Sequence, residues 1–256
     1  MRVVTLTCSN TEIVCALGCA ADLVGVDDHS DWPPEVVGRL PRVGPDLGID
    51  VERVAALRPD LVLASLTVPG HEQVVERLRR AKLPYIATEP VSVADVYADV
   101  RLVAERLGKA GRAEAVVREM RDELERSPAP NGVRAPRILV EWWPKPVIVP
   151  GRDSWVNQLL GAAGGVNPMG DRGVKSAPIS DAEAVAMAPD AVVISWCGVR
   201  PEKYRPDVVY RRPAWQALPA LVRRRVYCVP EAYLGRPSPR LVDGCRALRS
   251  IVAACT

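Results

Sequence analysis

The sequence predicts an α/β fold in which two similar lobes, each built on a parallel sheet, are joined by a long helical segment. Short apolar runs typical of buried strands alternate with helical segments up to about residue 90 and again after residue 136. Residues 92–125 lack proline and are rich in Ala, Arg, Glu, Leu and Val, a composition typical of helices. A segment of the first half also aligns without gaps with a segment of the second half. These three observations predict two lobes of one architecture.

The first lobe is predicted to begin with a strand at residues 2–6, which are mostly β-branched. A helix follows, with Ser9 or Asn10 as its N-cap and Gly18 at its end. Asp50 is placed to cap a second helix that ends at Leu57. The remaining elements are strands at 23–26, 61–65 and 85–87, a helix at 70–82, and a proline loop at 31–34.

The second lobe is predicted to begin at residue 127, because Ser-Pro-Ala-Pro-Asn-Gly at 127–132 ends the helical segment. Its predicted elements are strands at 137–141, 191–195 and 225–229 and helices at 154–160, 181–187 and 239–253. We therefore expect lobes at 1–91 and 127–256, with a connecting segment at 92–126. From the residues alone, that segment is one long helix or a pair broken near Gly108.

The internal repeat supports the two-lobe prediction. Residues 49–65 (IDVERVAALRPDLVLAS) match residues 179–195 (ISDAEAVAMAPDAVVIS), with Ile, Ala, Pro, Asp, Val and Ser identical at matching positions. The repeated unit is a helix, a Pro-Asp turn and a buried strand. A duplicated architecture explains this match; the alternative is that this common local arrangement recurred by chance.

Charge and hydropathy exclude several classes of function. The net charge is +3, from 34 basic and 31 acidic residues, and the basic residues are scattered, so neither a nucleic-acid partner nor a membrane surface is implied. The longest uncharged apolar stretch is about half of the ~18 residues that a membrane-spanning helix needs. We expect a monomer with a small-molecule ligand and no membrane insertion.

Catalytic and metal-binding motifs are absent from the sequence. GxSxG, HExxH, the P-loop pattern and a strand-linked GxGxxG do not occur, so we predict no enzyme, no catalytic residue and no required cofactor. Only two histidines exist, His29 and His71, which excludes a site with three imidazoles. An acid/base cluster of Asp28, His29 and Asp31, or a metal held by the two histidines with carboxylates, remains a weaker alternative.

The seven cysteines form no CxxC pair, and we expect packing thiols without disulfides. At the N-terminus, Ala16-Leu17-Gly18-Cys19 resembles the end of a lipoprotein signal. The polar residues 9–12, including Glu12, interrupt the apolar run that such a signal needs. We therefore interpret this segment as mature protein.

Candidate binding residues follow the predicted strands, because ligands of parallel α/β lobes bind beyond the carboxyl ends of the strands. Four of the six tryptophans fall in these loops, which predicts a flat cleft lined by aromatic side chains. The predicted ligand-binding residues are Asn10, His29, Trp32, Trp142, Trp143, Trp196, Tyr233 and Arg236. For any one tryptophan, a place in the core is the alternative.

Several motifs in order resemble one family over nearly the whole chain. They are Ser9-Asn10-Thr11-Glu12, Ala16-Leu17-Gly18, Val24-Gly25-Val26, Ser30-Asp31-Trp32-Pro33-Pro34, Val43-Gly44, the 50–65 segment with Leu-Arg-Pro-Asp-Leu-Val, and Ser238-Pro239-Arg240. This pattern resembles the substrate-binding proteins of vitamin B12 and ferric siderophore ABC importers. The Ser-Asp-Trp-Pro-Pro loop and the Trp-rich second lobe are most similar to the cobalamin-binding branch.

The resemblance implies two Rossmann-like lobes with parallel sheets joined by one long rigid helix. It also implies a corrinoid or other metal chelate lying between the lobes, with Trp32 and Trp196 facing it, and an ABC permease as partner. An acidic residue on each lobe would dock to the permease. Glu72 fits this role, whereas the second lobe has Gly235 where the family has a Glu, with Glu231 as the nearest acid.

Three functions stay open at this point. The first is the corrinoid-binding component of an importer, and the second is a siderophore or haem binder of the same fold, for which Arg200, Arg236 and Arg240 are candidate anion contacts. The third is a cytoplasmic corrinoid-handling protein or enzyme without a permease. The family is extracytoplasmic, either periplasmic or lipid-anchored, but the N-terminus leaves a cytoplasmic location open.

Overall fold

A computed structural model describes residues 1–126 and 134–256, so the predicted break at 127–132 lies outside the described residues. The strands are Val3–Thr5 (β1), Leu23–Val26 (β2), Leu61–Ser65 (β3), Tyr85–Thr88 (β4), Ile138–Glu141 (β5), Trp143–Pro144 (β6), Val147–Pro150 (β7), Ser176–Ile179 (β8), Ala191–Ile194 (β9) and Val226–Cys228 (β10). The α-helices are Cys8–Ala16 (α1), Pro34–Val37 (α2), Val51–Ala56 (α3), His71–Arg80 (α4), Val93–Arg106 (α5), Ala110–Leu124 (α6), Trp155–Ala162 (α7), Asp181–Met187 (α8), Pro206–Tyr210 (α9), Pro219–Val222 (α10), Glu231–Leu234 (α11) and Leu241–Ala253 (α12).

The contacts divide the chain into two compact units. The first unit contains residues 1–90 and 94–119, and the second contains residues 91–93 and 120–256. The finer division of the chain at residues 91 and 126 stays a prediction. Within the described residues, no helix has the length and apolar character needed to cross a bilayer.

The first unit is built on one parallel sheet with the strand order β2-β1-β3-β4. Its core contains Val4, Leu6, Val62, Val74 and Leu78, all nearly inaccessible to solvent. Asp50 caps α3 as predicted, since its carboxylate accepts the N–H of Arg53 at 3.0 Å. In contrast, α1 begins earlier than predicted, with Thr7 as N-cap.

The second unit contains a parallel sheet, β10-β9-β5, and an antiparallel sheet, β6-β7-β8. The antiparallel sheet was not predicted from the sequence. Its strands are two to four residues long, and Pro144, Pro150 and Pro178 interrupt the apolar alternation that normally reveals a strand. The parallel strands and the bounds of α8 agree with the sequence predictions, and the helix predicted at 154–160 is α7, with Ser154 as its N-cap.

The predicted fold class is confirmed, with one correction to the connecting segment. Residues 92–126 form two helices, α5 and α6, rather than one continuous helix. Gly108 lies between them at φ 67°, a left-handed conformation that ends a helix and that glycine adopts without strain. The break near Gly108 was the alternative that the residues alone had left open.

The repeated segment has the same structure in both units. In each copy a helix, α3 or α8, is followed by a residue in the left-handed region, Arg58 at φ 46° and Ala188 at φ 42°, and then by the buried strand β3 or β9. These two residues occupy matching positions in the aligned sequences. Each copy therefore turns from helix to strand through the same backbone conformation.

Each copy is also bound to a neighbouring strand in the same way. The carboxylate of Asp60 accepts the backbone N–H of Arg2 at 2.7 Å, and that of Asp190 accepts the backbone N–H of Arg137 at 2.8 Å. The Nε of Arg2 donates to the Leu57 carbonyl, and the Nε of Arg137 donates to the matching Met187 carbonyl. Because the shared contacts extend beyond the aligned residues, the structure favours a duplicated architecture over a chance match.

Candidate functional site

A chain of buried polar groups supports the carboxyl end of the sheet in the first unit. The hydroxyl oxygens of Thr5 and Thr11 lie 2.6 Å apart, and those of Thr11 and Ser30 lie 2.8 Å apart. The Ser30 hydroxyl donates to the Asp27 carboxylate at 2.5 Å, and the His29 N–H donates to the other oxygen at 2.9 Å. Burial raises the pKa of the Asp27 carboxyl, and these two hydrogen bonds oppose that rise.

Arg42 fixes the loop that carries Trp32. Its guanidinium donates to the backbone carbonyls of Asp27 at 2.8 Å and Ser30 at 2.6 Å, on the residues that lead into the loop. A weaker bond reaches Val37 at the end of α2. Trp32 is 38% exposed on this anchored loop. The local structure therefore presents part of an indole to solvent on a rigid support.

Both histidines of the chain lie beside the carboxylate of Asp46. The Nε2 atom of His71 is 3.6 Å from one oxygen, and the Nε2 atom of His29 is 4.0 Å from the other. His71 is buried and its Nδ1 atom accepts the Val68 N–H, whereas the His29 side chain is 53% exposed. The His71 imidazole is the main cause of a lowered pKa at the Asp46 carboxyl. Within residues 1–126 and 134–256, no group of three His, Cys, Asp or Glu side chains is arranged to hold a metal ion.

Two further predicted residues of the first unit have identified partners. Asn10 is buried, and its side-chain amide donates to the Ala64 carbonyl at 3.0 Å, next to the carboxyl end of β3. Glu72 is exposed in the first turn of α4 and accepts the Gly70 N–H at 2.9 Å. The contact of Asn10 stabilises the carboxyl end of β3. The surface position of Glu72 is compatible with its predicted docking role.

The second unit places Trp142 and Trp143 at the end of β5, with opposite degrees of exposure. Trp142 is 9% exposed, and its backbone N–H donates to the Ile148 carbonyl. Trp143 is 41% exposed, and its indole N–H donates to the Lys145 carbonyl at 3.1 Å. The hairpin β6–β7 therefore buries one indole and presents the other.

Trp196 is held inside the second unit by a buried ion pair. The Glu141 carboxylate is inaccessible to solvent. One of its oxygens accepts the Trp196 indole N–H at 2.9 Å and an Arg212 N–H at 3.0 Å. The other oxygen accepts a second Arg212 N–H at 2.6 Å. The ring of Tyr204 lies edge-on to Trp196, with centroids 5.8 Å apart. Trp196 is 6% exposed and belongs to the hydrophobic core, so little of its indole surface is available to a ligand.

Sequence analysis missed Glu141 and Arg212. The available signal was a charged residue at the end of an apolar run, in the strand predicted at 137–141. The partner, Arg212, is 71 residues away along the chain, and no local pattern connects the two.

The predicted residues Glu231 and Arg236 are paired with each other. Their side chains form an ion pair at 3.1 Å and are 18% and 11% exposed. Tyr233 is partly buried beneath the guanidinium of Arg240, 5.0 Å from the ring centroid. A Cβ atom at Gly244 would collide with the Tyr233 carbonyl, so glycine permits the close approach of α11 to α12 that positions this tyrosine.

Two titratable groups lie beside Glu231. The hydroxyl of Tyr204 accepts the Glu231 backbone N–H at 3.0 Å and donates to the Trp196 carbonyl at 3.3 Å. The Cys197 residue is exposed at the surface, and the neighbouring protein atoms together with the charge of Glu231 raise the pKa of its thiol.

The arrangement in each unit suits binding rather than bond making. The partly exposed indoles are Trp32, on the loop between β2 and α2, and Trp143, two residues after β5. Buried polar groups and arginines hold the backbone of both segments in place. Such surfaces accept flat apolar ligands by stacking. The two α/β units and these aromatic strand ends together define a ligand-binding protein.

Comparison with known proteins identifies the family. The sequence-family model for periplasmic binding proteins matches residues 3–233, so the chain belongs to that family. Its members are substrate-binding proteins of transporters and not enzymes, which confirms both the resemblance seen in the sequence and the prediction that this chain is not an enzyme.

Three similar proteins illustrate the range of the family. An uncharacterised ABC transporter substrate-binding lipoprotein of Bacillus subtilis, YvrC, is 28% identical over 96% of this chain and 78% of its own length. A vitamin B12-binding protein of Vibrio parahaemolyticus is 25% identical over 99% of this chain and 88% of its own length. The apo structure of the periplasmic heme-binding protein RhuT from Roseiflexus sp. RS-1 superposes with a TM-score of 0.83 at 27% identity, covering 99% of this chain and 98% of that one.

Proposed function

We propose that this protein binds a corrinoid of the cobalamin type as the substrate-binding component of an ABC importer. The observation that carries the proposal is that the indoles of Trp32 and Trp143, on segments that follow β2 and β5, are 38% and 41% exposed. A macrocycle stacked on an indole buries much apolar area while few polar groups lose water. The vitamin B12-binding relative supports this class of ligand.

Haem is the second candidate. His29, three residues before Trp32 in the sequence, offers a half-exposed imidazole, and imidazole is a common axial ligand of haem iron. The similar heme-binding structure supports this alternative. Of the three arginines considered for an anionic siderophore, Arg236 is balanced by Glu231 and Arg240 lies over the ring of Tyr233, so this class of ligand has less support than the two macrocycles.

The proposal includes a permease partner. Glu72 has the exposure that a docking carboxylate needs. Glu231 is less suited to docking, since it is mostly buried and paired with Arg236. The importer role also requires an extracytoplasmic location, as for the lipoprotein relative. Cell fractionation tests this requirement, and an exclusively cytoplasmic protein would favour a corrinoid-handling role without a permease.

Titration of the purified protein with cyanocobalamin, cobinamide, haemin and a ferric hydroxamate siderophore tests the ligand. We expect saturable changes in visible absorbance with the corrinoids and none with the siderophore. Saturation with haemin alone would identify haem, and not a corrinoid, as the ligand. No saturation with any of the four compounds would refute the proposal.

Substitution of the exposed indoles tests the site. Trp32→Ala and Trp143→Ala are each expected to weaken cyanocobalamin binding by about 1–3 kcal/mol, by analogy with aromatic anchors at interfaces. Val222→Ala is the matched control, because Val222 is 68% exposed at the end of α10, before the amino end of β10. If all three variants bind cyanocobalamin as tightly as the unmodified protein, the ligand binds elsewhere.

A further inference from the structure

At one matching position of their parallel sheets, the two units have residues of different chemistry. In the first unit β1 pairs with β3 in the register Val4↔Val62, and in the second unit β5 pairs with β9 in the register Leu139↔Val192. With the repeat superposed, Glu141 occupies the position of Leu6, and Trp196 occupies the position of Leu66. Leu6 is fully buried in an apolar core.

The shared framework therefore does not require a charged residue at the end of this strand. A buried ion pair also contributes little net stability, because the cost of desolvating both charges offsets their attraction, and apolar replacements of similar size are often neutral. A contribution other than stability is needed to explain why the second unit buries Glu141 and Arg212.

The geometry indicates what that contribution is. Arg212 binds both oxygens of Glu141 and lies against the ring of Trp215, 4.3 Å from its centroid, so the carboxylate cannot rotate about its last bond. The Trp215 indole N–H is itself bound to Asp181 at 2.7 Å. The fixed carboxylate accepts the Trp196 N–H, which selects one orientation of that indole.

We propose that Glu141 and Arg212 form a positioning pair, which holds Trp196 in one orientation and fixes the start of the Trp142–Trp143 segment. The pair acts through these tryptophans and not by contact with the ligand. Its effect on ligand affinity rests on the function proposed above; its effect on Trp196 does not.

The double variant Glu141→Leu, Arg212→Met tests the pair without a ligand. It removes both charges at once, so no unpaired charge is left buried. The buried Trp196 N–H then lacks its acceptor, so we expect the variant to fold with reduced stability. Fluorine NMR of protein labelled with fluorotryptophan reports on each indole, and Trp196→Phe identifies the Trp196 resonance. We expect that resonance to broaden or split in the double variant while that of Trp32 is unchanged. A single, unshifted Trp196 resonance would overturn the proposal.

Arg212→Lys provides a second route if the double variant does not fold. Lysine keeps the charge but cannot bind both carboxylate oxygens in one plane. The Trp196 resonance should therefore shift or broaden in this variant too, and an unchanged resonance would again overturn the proposal.

Cyanocobalamin titration then tests the consequence for binding. The Cys197 N–H donates to the Trp142 carbonyl at 3.1 Å, so a Trp196 that changes orientation loosens the segment that carries the exposed Trp143. The ligand must then order that indole, so the double variant should bind about three- to tenfold more weakly than the unmodified protein. Glu123→Gln is the matched control, because Glu123 is also buried and paired, with Arg246 and Arg249 of α12. Equal affinity of the double variant and the unmodified protein would show that the pair is only structural. If the unmodified protein binds no cyanocobalamin, the proposed function fails, and the NMR result alone decides the positioning role.

Discussion

Substitution of Trp196 by alanine is expected to destabilise the second unit strongly. The side chain is 6% exposed, packs edge-on against Tyr204 and donates its N–H to Glu141. Replacement of a buried Trp by Ala costs about 3–5 kcal/mol. For a protein of this size each kcal/mol lowers Tm by about 2–4 °C, so we expect a fall of about 6–20 °C. Trp32→Ala removes an indole that is 38% exposed and should cost about 1 kcal/mol.

Thermal and urea unfolding followed by far-ultraviolet circular dichroism compare the two variants without relying on tryptophan fluorescence. Trp196→Phe is an intermediate variant, because it keeps most of the ring packing and loses only the N–H donor to Glu141. We expect Trp32→Ala to be the most stable of the three variants, Trp196→Phe the next and Trp196→Ala the least stable. Unfolding of Trp196→Ala and Trp32→Ala at the same temperature would refute the assignment of Trp196 to the core.

Two further predictions concern titratable groups. Burial and the neighbouring charge of Asp95 raise the pKa of Asp99 in α5 from 3.8 to about 7, so the free energy of unfolding should fall as the pH rises across that window. Asp99→Asn should remove this part of the pH dependence and raise Tm at about pH 8; an unchanged Tm–pH profile would contradict the raised pKa. All seven cysteines are free thiols in the structure, and a thiol titration in denaturant, on protein purified without reductant, should return seven, whereas five or fewer would indicate a disulfide.

Local sequence patterns were sufficient where an element is stabilised by its own residues. The runs at Leu23–Val26 and Leu61–Ser65 are apolar enough to be recognised as strands, and Asp50 caps the helix that it was predicted to cap. The repeat was visible because the helix, the Pro-Asp turn and the strand are contiguous. The antiparallel sheet was not visible, because its short, proline-containing strands form only when β7 pairs with both neighbours.

The candidate site divides in the same way. The loop position of Trp32 could be predicted from local sequence, because this residue lies between the end of a predicted strand and a pair of prolines. The burial of Trp196 and the pairing of Glu231 with Arg236 could not, because exposure depends on side chains that come from other elements. For the same reason, a composition argument that counts tryptophans near strand ends does not distinguish a binding surface from core.

The sequence by itself determined the α/β class, the two-lobe organisation and the family, because hydrophobic periodicity, capping residues and ordered motifs are properties of contiguous residues. Only the tertiary structure decided which indoles are exposed and which charges are paired. Glu141 and Arg212 are 71 residues apart. Parallel pairing of β5 with β9 brings Glu141 beside Trp196, and the segment after α9 brings Arg212 to Glu141. Such a contact depends on the folding of the whole unit, and no stretch of its sequence encodes it alone.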